Sequence, residues 1–572
     1  MERRAFLTAS GALAALGLTD VTLPSLVRAE TWLASRVRRM DVDPKPLSTK
    51  SNDLTPYSGT WGDRQIRHAL RRAMFGVPFD QFMEAKSLGS MAALVDRLID
   101  PSQPLPAKTM TYVDELLLAK RTDPQLDNIN KNRTERFRIG QVRNWWFELM
   151  LKERLSIREK ITLMWHNHFV VSGETVQFAG LIYTYLDTLR RNALGNVKQL
   201  AHEITVDPAM LIYLNGNQSY YGKSPAGKNV GDQVNENYAR ELMELFTLGI
   251  LDPETGEPNY TEEDIQNAAQ ALSGWQFTTT APFKGILIQQ SHNSGPKTFF
   301  GQTGNWSAQD IVEMIFAKKG GFNAAYFLCE KIYTTFVYYV PNKQVVTAMA
   351  QKLIESNWEV TPVLRALFSS DHFYDEEVIG AQLKSGAEFI AGLIRDHGMK
   401  TDPFDPKTPE SRGTTQEGQI LFTDPNPTHT SLTFTYMGAA LGQELLAPPN
   451  VKGWPNGHAW VGTGTYPIRD ALASVALLYP NRLNGGGRNM KLQFDPMAWV
   501  DTVDPERTMS SPDVAKALER ATLAFELGPI ETDFLYKTLN LLQLPEDDFY
   551  LKEEYISLFA INMATLPEYQ LL

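Results

Sequence analysis

The sequence predicts a mainly α-helical fold: one large multi-helix globular body with a few short strands and long loop excursions. Three observations support this. From Trp61 onward, apolar residues recur three and four positions apart in segment after segment, which is the spacing of one helix face. Glycine or proline stands where many of these segments end, as Gly76 and Pro101 do. Alternating runs of the strand type are rare and short, so helices must supply most of the core.

The apolar spacing places helices along most of the chain. In the first half it predicts them at residues 64–75, 91–99, 134–152, 157–169, 181–194, 197–206 and 234–248. In the second half it predicts them at residues 261–272, 308–317, 324–339, 343–355, 363–368 and 381–397. The apolar run at residues 285–288 predicts a small hairpin instead. Clusters of Pro, Gly, Asn and Asp at residues 401–430 and 480–510 predict long loops.

The N-terminus carries the pattern of a twin-arginine export signal. Arg3 and Arg4 precede a mildly apolar stretch at residues 9–18, which is too short and too rich in Ala and Gly to span a bilayer. Small residues near Ala29 offer a cleavage site, so we expect the mature chain to begin near Glu30. The expected location is periplasmic or extracellular, without a transmembrane anchor.

The chain is then divided into four parts. Residues 1–29 form the signal peptide, residues 30–60 an extended lead-in, and residues 61–475 the main helical domain. Residues 476–572 supply a loop and a C-terminal helical segment that packs on the main body. With 572 residues and 43% hydrophobic residues, the chain can bury a substantial core.

Composition and motifs exclude several functional classes. The formal net charge of -11 argues against nucleic acid or an anionic membrane as partner. Cys329 is the single cysteine, so neither an internal disulfide nor a cysteine-based metal cage can form. The sequence has no Gly-x-Ser-x-Gly elbow, no Gly-Lys-Ser/Thr phosphate loop and no dinucleotide fingerprint, which disfavours serine hydrolases, NTPases and nicotinamide enzymes.

Two histidines stand close together in the run Trp-His-Asn-His-Phe at residues 165–169. On a regular helix, His166 and His168 point about 200° apart and cannot hold one metal ion. If the helix frays after Trp165, both imidazoles could converge on a divalent metal, with a carboxylate completing the ligand set. In the alternative interpretation one histidine binds a neighbouring helix and the other packs beside Trp165 and Phe169. The sequence leaves the presence and identity of any cofactor open.

A second polar segment, residues 235–245, has the geometry of one helix face. Glu236, Arg240 and Glu244 are four apart, and Glu241 lies three before Glu244. These charges form either a structural network or a site in which Arg240 keeps one carboxylate ionised while another serves as acid, base or ligand. Capping residues frame the segment: Asn235 can begin the helix and Gly249 can end it, and Asn235 and Asn237 are candidate substrate ligands.

Three further features are candidates. The polar loop at residues 215–231 could be a lid or a substrate loop, since it leads directly into Asn235. His292 and Lys297 flank a Gly-Pro turn and could present a general acid and a cation, although a plain turn explains them equally. Trp454 and Trp460 follow a Pro-Pro-Asn segment and could form a wall for a sugar ring, with core packing as the alternative.

Ordered motifs across residues 60–475 resemble the bacterial family catalogued as domain of unknown function 1800. They are Trp-His-Asn-His-Phe at 165–169, Asp-Pro-Ala-Met-Leu at 207–211, Asn-Glu-Asn at 235–237, Glu-Leu-Phe-Thr-Leu-Gly at 244–249, Tyr-Thr-Glu-Glu-Asp at 260–264, Ser-Gly-Trp at 273–275, Lys-Thr-Phe-Phe-Gly at 297–301, and Pro-Pro-Asn-Val-Lys-Gly-Trp-Pro at 448–455. The resemblance implies export and little about activity. It also implies a co-encoded partner from a second exported family, number 1501, which is similar to sulfatases and phosphatases.

Two positions depart from the family pattern. Asn293 stands where an acidic residue is expected after His292, and Gly386 stands where a proline commonly follows Ser385. The first change would remove a carboxylate from any site built around that loop.

Two functions of different classes follow from these observations. The first is a hydrolase-like enzyme, acid/base or metal-assisted, that acts on an extracytoplasmic polymer or glycan. Its expected site gathers Glu236, Arg240, Glu241, Glu244, His292 and Lys297 as catalytic residues, Asn235, Asn237, Trp454 and Trp460 as substrate ligands, and His166 and His168 as metal ligands. The second is a non-catalytic binding or assembly partner of the sulfatase-like family, in which the polar cluster only joins helices.

Overall fold

The computed structural model describes residues 45–105, 128–278, 281–401, 413–414, 420–421, 437–478, 492–523 and 553–572. These residues are mainly helical, as predicted. In the first part of the chain the helices are α1 (Asp63–Ala73), α2 (Phe79–Ser87), α3 (Met91–Leu98), α4 (Asn128–Lys152), α5 (Arg158–His168), α6 (Gly173–Val176), α7 (Ala179–Arg191), α8 (Val197–Thr205), α9 (Pro208–Tyr213) and α10 (Glu236–Glu241). A π-helical turn, Leu242–Thr247, continues α10.

The second part of the chain continues the helical body. Its helices are α11 (Glu262–Ala271), α12 (Ala308–Ala317), α13 (Phe322–Phe336), α14 (Lys343–Glu355), α15 (Val360–Phe368), α16 (Gly386–Asp396), α17 (Tyr466–Leu478), α18 (Pro496–Asp501), α19 (Ser511–Thr522) and α20 (Glu553–Ala564). Capping boxes begin three of them, at Thr261, Ser307 and Ser385. Ser385 therefore starts α16 although Gly386 replaces the proline of the family pattern.

The strands are short and pair two by two, all antiparallel. The pairs are β1 (Tyr220–Lys223) with β2 (Asn229–Gln233), β3 (Trp275–Phe277) with β4 (Gly285–Leu287), β5 (Lys297–Phe299) with β6 (Gln302–Gly304), β7 (Lys400–Thr401) with β10 (Leu492–Gln493), and β8 (Gly413–Thr414) with β9 (Ile420–Leu421). Pairing of Trp275 with Leu287 confirms the hairpin predicted at residues 285–288. The loop predicted at 215–231 is wrong in part, since β1 and β2 make a hairpin there.

Parts of the predicted organisation lie outside the described residues. The export signal at residues 1–29 is one of them, as are most of the loop predicted at 401–430 and residues 480–491 of the loop predicted at 480–510. The described part of the second loop contains β10 and α18, so that prediction is wrong in part. The described end of the lead-in pairs with the main body, where Tyr57 N donates to Ser369 O at 2.7 Å. Within the described ranges, no helix combines the length and the apolar character that crossing a bilayer requires.

The C-terminal residues are built into the main body. Helix α17 runs through the predicted boundary at 475–476 and packs against α20. Lys384 N donates to Gln570 O at 2.8 Å, and Arg469 Nη1 donates to Gln570 Oε1 at 3.1 Å. Because these groups are buried, the final residues complete the polar pairing of two internal helices.

Helix α5 lies at the centre of the core, with polar residues buried on several sides. Each polar group must therefore find a partner. Glu159 binds Arg190 of α7 through two hydrogen bonds, at 2.6 and 3.0 Å, and Lys160 Nζ lies 2.5 Å from Glu388 Oε1 of α16. These two ion pairs join α5 to α7 and to α16. They thereby fix the position of the C-terminal end of α5, which carries the two histidines.

Candidate functional site

The helix predicted at residues 234–248 changes its hydrogen-bonding pattern halfway. Asn235 caps α10, since its Oδ1 accepts from Asn237 N at 2.9 Å, which confirms the predicted start. After Glu241 the chain winds into the π-helical turn, where Leu248 N and Gly249 N both donate to Met243 O, at 2.9 and 3.1 Å. Such turns are rare and occur often at functional sites. The wider turn also alters which side chains share a face.

The predicted ladder of Glu236, Arg240 and Glu244 is not formed as one cluster. Arg240 instead binds Glu262 of α11 through two hydrogen bonds, at 2.8 and 3.0 Å, while its distance to Glu236 is 3.8 Å. These side chains are well exposed, so water screens their pairing and it contributes little to stability. Glu236 and Arg240 therefore belong to a structural network on the surface, as the first of the two interpretations expects. Glu244 lies apart from this network.

Glu244 lines a cavity of about 390 Å³ where four segments meet. The segments are the end of α5, the π-helical turn with the residues after it, one face of α13, and residues 451–456. The lining consists of Met164, Asn167, His168, Glu244, Leu245, Gly249, Ile250, Phe327, Lys331, Thr334, Thr335, Val451, Lys452, Trp454 and Asn456. Of the residues predicted from sequence, the cavity thus brings together His168, Glu244 and Trp454.

The end of α5 holds two walls of this cavity in place. His168 Nε2 donates to Phe246 O at 2.9 Å, so the imidazole satisfies a carbonyl of the π-helical turn. Asn167 binds the backbone of Trp454 twice, accepting from its N–H at 2.6 Å and donating to its carbonyl at 3.3 Å. The motif at residues 165–169 therefore positions the cavity, and only Asn167 and His168 also line it.

His166 faces away from the cavity lining into the core. Tyr185 Oη donates to Phe169 O at 2.5 Å, so its oxygen accepts from His166 Nδ1–H at 3.0 Å. His166 Nε2 is then the unprotonated nitrogen, and it is buried with no hydrogen-bond partner among the described residues. Burial holds the pKa of His166 at about 3, so the ring is neutral.

The geometry needed for metal chelation by the two histidines does not arise, because α5 stays helical through His168. His166 stacks edge-on against Trp454, with ring centroids 5.4 Å apart, whereas His168 contacts Phe169 at 4.5 Å. The two rings thus lie in separate surroundings. Among the residues that the structure describes, no group of three or more His, Cys, Asp and Glu side chains could hold a metal ion.

Three oxygen-bearing side chains meet beside the cavity at the π-helical turn. Tyr260 Oη donates to Glu244 Oε2 at 3.5 Å. Burial raises the pKa of the Glu241 carboxyl, and the negative charge of Glu244 raises it further, partly offset by Lys452. A carboxyl group whose pKa is raised in this way is suited to the role of a general acid.

Gly453 allows the loop of residues 451–456 to approach α5. Its φ is +80°, and a Cβ at this position would overlap the side-chain oxygen of Asn167. We expect Gly453→Ala to lower the free energy of unfolding by about 2 kcal/mol or more, because backbone strain adds to the steric conflict. Thermal denaturation would measure the loss.

Gly442 is the matched control for this substitution. Its φ is +79°, but a Cβ there would meet nothing within 4 Å. Gly442→Ala should therefore show the backbone strain alone, about 1 kcal/mol. Equal losses in the two variants would contradict the close approach of the loop to Asn167.

The remaining predicted residues lie outside the cavity lining. Lys297 is 2% exposed and donates to Asn293 O and Gly295 O, both at 2.7 Å, while His292 Nδ1 donates to Ser273 O at 3.0 Å. Both residues thus hold the turn before β5, as the plain-turn interpretation expects. Trp460 is buried, and its carbonyl accepts from Arg469 Nη2 at 3.2 Å, which is a core role.

Sequence reasoning missed the contribution of α13. Lys331, Thr334 and Thr335 line the cavity from this helix. The available signal was a lysine at residue 331 inside an apolar helical run, four residues after Phe327. The spacing alone does not distinguish a lysine that faces a cavity from one that faces solvent.

Fold and site together define a mainly helical protein with a ligand-sized cavity enclosed by its ordered motifs. The chain belongs to the family described as "Protein of unknown function (DUF1800)", whose profile matches residues 68–571. The match continues past residue 475, in agreement with the packing of the C-terminal residues on the main body. No curated protein and no solved structure shows a significant match to the chain.

Proposed function

We propose that this protein is an exported hydrolase-like enzyme that uses acid/base chemistry at the cavity to cleave an extracytoplasmic polymer or glycan. The observation that carries the proposal is the π-helical turn, which separates Glu244 from the surface pair of Glu236 and Arg240 and places it in the cavity. The arginine pair at Arg3 and Arg4 supports export.

The two carboxyl groups have distinct parts in this reaction. Glu241, whose pKa is raised by burial and by Glu244, is the acid that gives a proton to the leaving oxygen of a glycosidic bond. Glu244 lines the cavity and serves as the base that takes a proton from the attacking water. Tyr260 holds Glu244 in place through its hydroxyl.

The cavity also suits a sugar-containing ligand. Its volume, about 390 Å³, lies in the range of small-molecule sites, about 300–1,000 Å³. Trp454 offers an aromatic surface, and Asn456, Thr334 and Thr335 offer polar groups around it. Mixed polar and aromatic lining of this kind binds hydroxyl groups and the apolar faces of a sugar ring together.

The test is to incubate the protein with a panel of soluble neutral and acidic polysaccharides and to measure hydrolysis as the release of reducing ends. We expect the mature protein to cleave at least one polymer and Glu244→Gln to lower the rate by about 100-fold or more. Glu263→Gln is the matched control, since Glu263 is an exposed carboxylate of α11 outside the cavity lining. It should retain the full rate.

Two results would overturn the proposal. One is a folded Glu244→Gln protein, checked by circular dichroism, that cleaves as fast as the unaltered chain. The other is a mature protein that neither cleaves any polymer of the panel nor is stabilised by one in thermal denaturation.

A second candidate function, assembly with a co-encoded sulfatase-like protein, is favoured by one observation. Ile250 and Leu251 are 55% and 54% exposed, and Ile250 also lines the cavity. Adjacent apolar side chains this exposed suit a protein contact. Co-elution of the purified pair at micromolar concentration, lost in Ile250→Ser/Leu251→Ser, would support assembly, and separate elution would count against it.

A further inference from the structure

One face of α13 forms a wall of the cavity. Lys331 lies four residues after Phe327, three before Thr334 and four before Thr335, and all four side chains line the cavity. The hydroxyls of Thr334 and Thr335 donate to Lys331 O, at 3.2 and 2.9 Å. Lys331 thus stands in the middle of a wall whose neighbours are an aromatic ring and two hydroxyl groups.

Lys331 has no carboxylate partner among the described residues. No Asp or Glu oxygen of that part of the chain lies within 4.0 Å of its Nζ. Its Nζ lies 4.9 Å from the centroid of the Phe327 ring. Glu330 precedes it directly, but adjacent residues of a helix point in different directions.

The other lysines of this region differ from Lys331 in this respect. Lys160, which is buried on α5, has its charge compensated by Glu388 at 2.5 Å. Lys452 lies at the exposed edge of the cavity, where its charge lowers the pKa of Glu241. Among the described residues, Lys331 is therefore a cavity cation with no carboxylate in ion-pair contact.

Burial makes a charged Lys331 without an ion-pair partner energetically costly. The pKa of Lys331 is lowered by burial, with a smaller opposing effect of Glu330. Its charge also lowers the pKa of His168, next to the larger effect of burial there. His168 is thus neutral and does not compete for an anion. A ligand anion would give Lys331 the charged partner that the described residues do not supply.

We propose that Lys331 binds an anionic group of the ligand, a carboxylate or a sulfate, and that the cavity therefore selects acidic over neutral glycans. This inference rests on the proposed function and specifies its substrate class. Glu244 and Glu241 remain the reacting pair, and Lys331 is a specificity residue at the wall formed by α13.

The experiment compares two matched pairs of oligosaccharides. One pair is a galacturonate oligomer and its neutral methyl ester, and the other is a sulfated galactan oligomer and its desulfated form. We expect the unaltered protein to bind or cleave one acidic member about tenfold or more better than its neutral counterpart, and this preference to fall as salt is added. A preference within the galacturonate pair indicates that Lys331 binds a carboxylate, and a preference within the galactan pair indicates a sulfate.

Lys331→Met should reduce the preference to about one, because the acidic member loses its charged partner and the neutral member has none to lose. Lys331→Arg keeps the charge and should retain part of the preference, which separates loss of charge from loss of folding. Lys352→Met, at an exposed position of α14, is the matched control and should change neither value.

The outcomes separate the inference from the function on which it rests. Equal treatment of acidic and neutral members by the unaltered protein, or a preference that survives in Lys331→Met, overturns the inference and leaves the proposed function standing. A protein that binds and cleaves none of the four oligosaccharides overturns both.

Discussion

Glu159→Gln is expected to lower the free energy of unfolding by about 3–5 kcal/mol, because it leaves a buried arginine without its counter-ion. Glu159 is 2% exposed and binds Arg190 through Nε at 2.6 Å and Nη2 at 3.0 Å. Trp146 Nε1 donates to the same carboxylate at 2.9 Å. The glutamate thus satisfies donors from two helices, α4 and α7.

A second carboxyl group makes this cluster sensitive to charge. Glu153 Oε1 accepts from Glu159 N at 3.0 Å, and burial, with the charge of Glu159, raises the pKa of Glu153 to about 8. Glu153 therefore stays protonated at neutral pH, and Glu159 is the carboxylate that balances Arg190. If Gln replaces Glu159, no other carboxylate of this cluster balances the charge of Arg190.

Urea denaturation of the purified variants would measure the change. Asp187→Asn is the matched control, since Asp187 pairs with Arg191 at 3.1 Å on the exposed side of the same helix as Arg190. It should cost about 0.5 kcal/mol or less. The double variant Glu159→Gln/Arg190→Met should recover much of the loss, because no unpaired charge remains. A Glu159→Gln loss as small as that of Asp187→Asn would refute the buried pair.

Acid is expected to weaken the fold through His166 and His168. Burial holds the pKa of each histidine at about 3, against 6.5 for the free side chain. Between these values the unfolded chain binds a proton that the folded chain does not, so stability falls as pH falls below about 6.5. From pH 7.5 to pH 5.0 each histidine should therefore contribute a loss of about 2 kcal/mol.

Single substitutions isolate these contributions. His168→Gln and His166→Gln should each reduce the difference in unfolding free energy between pH 7.5 and 5.0 by about 2 kcal/mol. Urea denaturation at the two pH values gives that difference directly. If neither substitution changes it, the two rings are not held neutral by burial.

Asp207 supplies a control of opposite sign. Burial raises the pKa of Asp207 to about 7, from 3.8 for the free side chain. The folded chain therefore binds this proton first and gains stability as pH falls from about 7 to 5. Asp207→Asn removes that gain and should enlarge the acid loss by about 2–3 kcal/mol. The amide can still cap α9 in place of the carboxylate, which accepts from Ala209 N at 2.9 Å.

Local rules were sufficient for much of the fold. The helices at 308–317 and 343–355 begin and end where the apolar spacing predicts, and Asn235 caps α10 as expected. These features depend on residues a few positions apart, so a single sequence contains what determines them. The hairpin at residues 220–233 was missed because its strands are mostly polar and exposed, which gives no alternating apolar signal.

The sequence predicted less of the candidate site than of the fold. Sequence alone singled out the segments at 165–169, 235–249 and 448–455, and the cavity is built where they meet. The sequence did not show that Glu244 leaves the face shared by Glu236 and Arg240, because no spacing rule predicts the π-helical turn. That turn is also held from another helix, where His168 Nε2 donates a hydrogen bond to Phe246 O.

The sequence by itself determined that the chain is mainly helical, where most helices lie, and which motifs concentrate polar groups, because local spacing and capping decide these properties. Only the tertiary structure decided which polar groups face a cavity and which are buried in pairs such as Glu159 with Arg190. It also decided that Lys331 has no carboxylate in ion-pair contact among the residues the structure describes. The physical reason is that burial and pairing depend on contacts between residues far apart in the chain, which no local pattern specifies.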